Sequence, residues 1–235
     1  NITGSTLQLR TEGAATPIFD VVTNSTLNLN AVVDGYLGTE TTPLNKSGGG
    51  TMLLLQNNLY DGVTNLNAGT IQVGNGGNTG SLGAGTVNNN GSLVINRGNG
   101  YTIANNIGGS GSLTQAGSGT TTLSGTTTYT GATQVSAGTL LVNGSIGDSA
   151  VTVSSGASLG GSGSIGTGAV LNTVTINGTL SPGNSPGILT INDNLDLNGS
   201  LSLDLLGLNP GSEHDRIILN GSGDLGGTLD LLWGL

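Results

Sequence analysis

Apolar residues along this chain fall in short alternating runs. Leu7-Gln8-Leu9, Leu27-Asn28-Leu29, Ile71-Gln72-Val73, Val151-Thr152-Val153, Val174-Thr175-Ile176 and Leu201-Ser202-Leu203-Asp204-Leu205 each place an apolar side chain at every second position. A period of two describes a strand with one buried and one wet face. Between the runs stand Gly-Ser, Asn-Gly and Gly-Gly pairs, which accept the backbone angles of tight turns. No window of ten residues keeps apolar spacings of three and four while avoiding glycine, so the pattern predicts almost no α-helix.

The runs recur. A unit of Gly or Ala, then Ser or Thr, then Leu or Ile, occurs at residues 69–71, 91–93, 111–113, 138–140, 157–159, 178–180, 199–201 and 227–229. From Leu93 to Leu201 its apolar residues are 20, 27, 19, 21 and 21 apart, a period near 21 with insertions. A longer repeat lies over it. Residues 46–75 align without a gap onto 115–144, at an offset of 69. Gly48, Gly50-Thr51, Leu54, Tyr60, Gly62, Thr64, Ala68-Gly69-Thr70 and Val73 meet Gly117, Gly119-Thr120, Leu123, Tyr129, Gly131, Thr133, Ala137-Gly138-Thr139 and Val142.

These periods predict an all-β chain, a right-handed parallel β-helix (solenoid). Coils of about 21 residues hold two or three short strands each, and corresponding strands of successive coils pair in parallel about 4.8 Å apart. Leu, Ile and Val face inward, Thr, Ser and Asn outward, and Gly and Asn take the corners. The length gives about 11 coils and a rod of about 50 Å. We expect one continuous solenoid: coils with irregular loops over residues 1–45, the two long repeats over 46–144, and further coils over 145–235.

Composition sharpens this picture. Gly, Thr, Asn and Ser supply 45, 32, 27 and 23 of the 235 residues, which without the alternation would describe a flexible linker. Charged residues are 7% of the chain, against about 25% in an ordinary domain. The basic set is Arg10, Lys46, Arg97 and Arg216, too few to neutralise phosphates, so nucleic acid is not an expected partner. No run of 18 apolar residues exists to form a transmembrane helix. Absence of cysteine removes disulfides and thiolate metal sites.

Residues 123–140, LSGTTTYTGATQVSAGTL, resemble the passenger-associated repeat of bacterial autotransporters, with residues 54–71 as a degenerate second copy. Gly178-Thr179-Leu180-Ser181-Pro182-Gly183-Asn184-Ser185-Pro186-Gly187 is similar to a late-passenger motif of that family. Asp215-Arg216-Ile217-Ile218-Leu219-Asn220-Gly221, with Leu225-Gly226-Gly227-Thr228-Leu229, resembles the stretch leading towards the membrane barrel. The resemblance covers roughly residues 46–235. It implies a secreted β-helical passenger on the surface of a Gram-negative cell, with an outer-membrane β-barrel translocator outside this sequence. The family's repeat region is associated with folding during secretion. The chain begins Asn1-Ile2-Thr3 without signal-peptide features, so it is read as a fragment or processed product.

Candidate chemistry is sparse. His214, the only histidine, lies in Glu213-His214-Asp215-Arg216; a triad would need a nucleophile and an acid converging on it, and the family resemblance implies a strand entry instead. Asp215 and Arg216 read as a solvated pair at a coil corner. Asp193, Asp196, Asp204, Glu213, Asp215, Asp224 and Asp230 gather late in the chain, with Asp196 and Asp204 placed on outer strand faces. Calcium between stacked acidic turns is conceivable there, yet the glycine-rich runs 76–80 and 160–164 lack the aspartate of calcium-binding nonapeptides. The glycine-rich runs 74–77 and 108–111 open no helix and so cradle no phosphate. Both Ser-Pro-Gly segments read as corner turns.

Glycan lyases and hydrolases also use this fold, but between Asn75 and Asn192 the only charged residues are Arg97 and Asp148, too little for acid–base chemistry. We therefore expect no catalytic, cofactor or metal residues, and no enzyme. The expected role is a structural stalk supporting adhesion or aggregation, its partners other copies of itself or a host or neighbouring cell surface. A filament built by end-to-end stacking is the alternative. If any part binds, the irregular stretch Asp34–Ser47, with Asp34, Glu40 and Lys46, is the first place to look.

Overall fold

The computed structural model describes residues 1–9, 17–35, 42–183 and 186–233. Among these there are 28 strands and no helix. They form three parallel sheets of 11, ten and seven strands. The first runs from Ile2–Leu9 to Gly223–Leu225, the second from Ile18–Asp20 to Arg216–Leu219, and the third from Tyr101–Ile103 to Thr228–Trp233. The chain visits the first, third and second faces in turn, so each strand pairs with its counterpart one coil away. Among the described residues the third face carries no strand before residue 101, and fewer coils close on three sides than the 11 expected.

Alternation builds the interior. Thr51–Leu54, Thr70–Val73, Ser92–Ile95 and Thr139–Val142 each bury their second and fourth residues and leave the others half-buried. Stacking then turns the inward positions into continuous columns. On the first sheet Leu29, Leu54, Val73, Ile95, Gln115, Val135, Val153, Ile176 and Leu197 stand in register. Each fully buried aliphatic side chain contributes about 1.5–3 kcal/mol, and because it touches only adjacent coils the stability is distributed along the rod. Outward asparagines make a ladder of their own: Asn65 donates to Asn45 at 2.7 Å and Asn88 to Asn65 at 2.8 Å, across three coils of the second sheet.

Register corrects the period reading. The 27-residue interval from Leu113 to Leu140 is not an insertion. Leu113 stands against Thr133 in the next coil, while Leu140 lies on the third sheet against Thr121. The Gly-Ser/Thr-Leu unit has moved from one face to another. The same displacement governs the long repeat. Thr51–Leu54, Thr64–Leu66 and Thr70–Val73 lie on the first, second and first sheets. Their equivalents Thr120–Leu123, Thr133–Val135 and Thr139–Val142 lie on the third, first and third. Sixty-nine residues thus amount to three turns (Thr51 to Thr70, Ser92 and Ser112) plus one face. The two copies share a fold and differ by a rotation about the axis.

Candidate functional site

Each copy of the long repeat is one coil that closes on itself. In the first, Thr51, Met52, Leu53 and Leu54 pair with Thr70, Ile71, Gln72 and Val73. In the second, Thr120–Leu123 pairs with Thr139–Val142 in the same way. A tyrosine holds the middle of each coil. Tyr60 and Tyr129 are fully buried, and their hydroxyls share hydrogen bonds with Thr64 Oγ1 at 2.8 Å and Thr133 Oγ1 at 2.6 Å. Thr133 passes the contact on to Ser149 of the following coil at 2.9 Å. Burial pushes both phenols up to about 12.

The corner of each coil is closed by a polar side chain standing in an apolar column. Lys46 is fully buried between Phe19 and Leu66 on the second sheet, and its ammonium donates to the carbonyls of Ser47 (2.8 Å), Gly48 (2.7 Å) and Ala68 (3.0 Å). Burial lowers its pKa, with Asp20 acting in the opposite sense. Gln115 is the equivalent residue of the second copy. It stands between Ile95 and Val135 and donates to the carbonyls of Gly117 (2.7 Å) and Gly119 (3.2 Å). Unlike an ammonium, an amide also carries an acceptor, and Thr121 donates to Gln115 Oε1 at 2.6 Å. Opposite Lys46, where no acceptor needs a donor, the residue equivalent to Thr121 is Met52, fully buried. The offset-69 alignment pairs Lys46 with Gln115 and Met52 with Thr121, the signal from which this clamp was legible.

The clamp is testable by a double-mutant cycle in urea. Lys46→Gln is expected to cost about 1–3 kcal/mol, because the new amide oxygen finds no donor beside Met52. Met52→Thr alone is expected to cost a similar amount, and the double variant to recover part of the sum. Additive costs would mean the two positions are not coupled.

Residues singled out from the sequence are dispersed. Of the stretch expected to bind, Lys46 is inside the coil and presents no charge, Glu40 lies outside the described residues, and Asp34 pairs in register with Gln8 within Thr26–Gly35. Asp215 and Arg216 are not a solvated pair. Arg216 is exposed, whereas Asp215 is buried, accepting from the backbone N–H groups of Gly187 (2.8 Å) and Asp204 (2.9 Å). It ties the segment after Pro186 to the end of Ser200–Leu205, a role that spacing alone does not disclose. Glu213 accepts from the N–H groups of Leu208 and Asn209, which with further Asn209 contacts hold its carboxyl below the usual range, and His214 Nδ1 lies 3.1 Å from Gly207 O. Both organise the 206–214 loop. Asp196 stands outward, in register with Thr175 and Asp224. Pro182 ends the strand Thr179–Pro182, and Gly183 takes the positive φ expected, 82°; Ser185 of the second Ser-Pro-Gly segment lies outside the described residues.

Arg97 is buried too. Its guanidinium donates to the carbonyls of Asn78 (2.6 Å) and Gly80 and to Asn99 Oδ1, with its cationic carbon 4.8 Å from the centre of the Tyr101 ring. It staples the glycine-rich 74–80 loop, which opens no helix. Between Asn75 and Asn192 the one charge near the surface is therefore Asp148, half-buried.

A family model described as the passenger-associated-transport-repeat matches residues 44–73 and 113–142. Those bounds enclose the two self-closing coils. The adhesin BmaC autotransporter of Brucella suis biovar 1 (strain 1330) is 50% identical over 202 residues, covering 84% of this chain and 6% of that protein. Over most of its length the chain is similar to an autotransporter, and two of its coils match the passenger-associated repeat. It spans a small part of that relative's length, and no solved structure matches it. In the passenger, the repeat is a coil with its own tyrosine, its own corner clamp and its own strand pairing, independent of the face on which it lies.

Proposed function

We propose that this passenger segment is a non-enzymatic stalk in a surface-displayed adhesin of a Gram-negative cell, and that its two repeat coils assist folding as the passenger emerges. One observation carries the proposal: each repeat completes its strand pairing within 19 residues, from Thr51 to Thr70 and from Thr120 to Thr139. Contacts this close in sequence form with little loop-closure cost. A coil of this kind offers a template edge to whatever chain arrives next. The nearly uncharged outer face between Asn75 and Asn192 supports the non-enzymatic part, and the similarity to an adhesin supports the setting. A translocating barrel elsewhere in the full protein follows from the same relationship.

Deleting residues 44–142 from the full-length protein is the test. A stalk that aids folding predicts less protein at the cell surface, read by antibody, with adhesion per displayed molecule retained. Unchanged display with adhesion lost would make the segment a binding site instead, and turnover on a glycan panel by the purified chain would make it an enzyme.

A further inference from the structure

Asp193 is a fully buried carboxylate that the fold does not satisfy. It lies between the strands Ile188–Ile191 and Asn194–Leu197. Its Oδ1 accepts one long bond from the Asn172 N–H at 3.4 Å, and its Oδ2 has neither solvent nor a hydrogen-bond partner. The carboxyl presses on Gly166, where a Cβ would fall 2.5 Å from Oδ1 and 2.7 Å from Oδ2. The next residue, Thr167, is held by a second carboxylate: Asp148 Oδ1 accepts from the Thr167 N–H at 3.1 Å and from its hydroxyl at 2.6 Å. Two carboxylates from different coils thus converge on one turn. No lysine or arginine occurs between Arg97 and Arg216, and Arg97 is committed to the 74–80 loop. A buried carboxylate without a counter-charge is among the costliest arrangements a protein can hold.

We propose that Asp193 and Asp148 bind a divalent hard cation, calcium, beneath the 166–172 turn. An all-oxygen site with few fixed ligands suits calcium, which accepts six to eight oxygens in flexible geometry, better than magnesium, which demands a strict octahedron. Backbone carbonyls and water complete such a shell. Two carboxylates place the affinity in the range of extracellular modules, about 10⁻⁴–10⁻³ M. The ion fixes the 166–172 turn, which carries Val170 and Leu171 exposed on the rod. The sequence shows Asp193 as one of seven late acids; only its burial separates it from the others.

Equilibrium dialysis of the chelator-treated chain against ⁴⁵Ca²⁺ at neutral pH tests this. One calcium per chain is expected, with affinity lowered at least roughly tenfold in Asp193→Asn and also in Asp148→Asn, unchanged in Asp224→Asn, and not competed by equimolar Mg²⁺. Asp148 is half-buried, so its variant keeps the test meaningful if Asp193→Asn fails to fold. Absence of saturable binding, or binding that survives both substitutions, overturns the proposal. So does a wild-type chain blind to calcium whose stability falls from pH 5 to 8 while that of Asp193→Asn does not, because the carboxyl then holds a proton.

Discussion

Tyr129→Ala is expected to destabilise the passenger segment by about 3–5 kcal/mol, the cost of removing a large buried ring. The ring is fully buried, and its hydroxyl starts a chain through Thr133 to Ser149 in the next coil. Tyr129→Phe isolates the hydroxyl and is expected to cost about 1 kcal/mol. Tyr60→Ala should cost as much as Tyr129→Ala although it lies on a different face; a neutral Tyr60→Ala would refute the equivalence of the copies. Both phenols are raised from 10.0 to about 12 in the folded chain, so the neutral form is the one the fold favours. Their contribution is complete below pH 10 and is lost as pH rises from 10 towards 12. Urea midpoints across that interval should fall, and less steeply in Tyr60→Phe/Tyr129→Phe. Hydrogen exchange near residues 120–142 is the companion measurement, since coils of a solenoid open locally.

Gly138→Ala is the second large effect. Gly138 has a φ of 61°, a conformation costing an L-residue about 1–2 kcal/mol. A Cβ there would also meet the carbonyl oxygens of Gly117 and Gly119 in the coil below. Crowding of this kind adds about 1–3 kcal/mol. In the other copy Gly69 meets Gly48 and Gly50 identically, so the matched glycines of the repeat are the two halves of one stacked corner. A denaturation midpoint unchanged in Gly138→Ala would show that the corner has room to relax.

Period two identified the strands and most of the inward residues because a strand has only two faces. It left open which strands stack, since that depends on corner lengths, and a Gly-Thr-Leu unit fits the first and third faces equally well. Hence the interval at Leu113–Leu140 read as an insertion. The buried charges were illegible for a related reason. Lys46 occupies an inward position in Leu44–Ser47 that alternation alone would give to an aliphatic residue, and its fitness rests on carbonyls from 47, 48 and 68. Arg97, Asp193 and Asp215 likewise take their roles from segments 17–28 residues away in sequence. Spacing picks out no metal ligand among the late acids, because what sets Asp193 apart is its burial.

The one-face rotation between the repeats also governs how the rod meets its surroundings. Leu59 and Thr128 occupy equivalent, exposed sites in the two coils, and they point from different sides of the molecule. An epitope or ligand carried at that site in successive copies winds around the shaft like the steps of a spiral stair. A flat surface brought against one side engages only some of the copies, so avidity rises more slowly than copy number, while a partner that wraps the shaft, or a crowd of partners approaching from several directions, can engage them all.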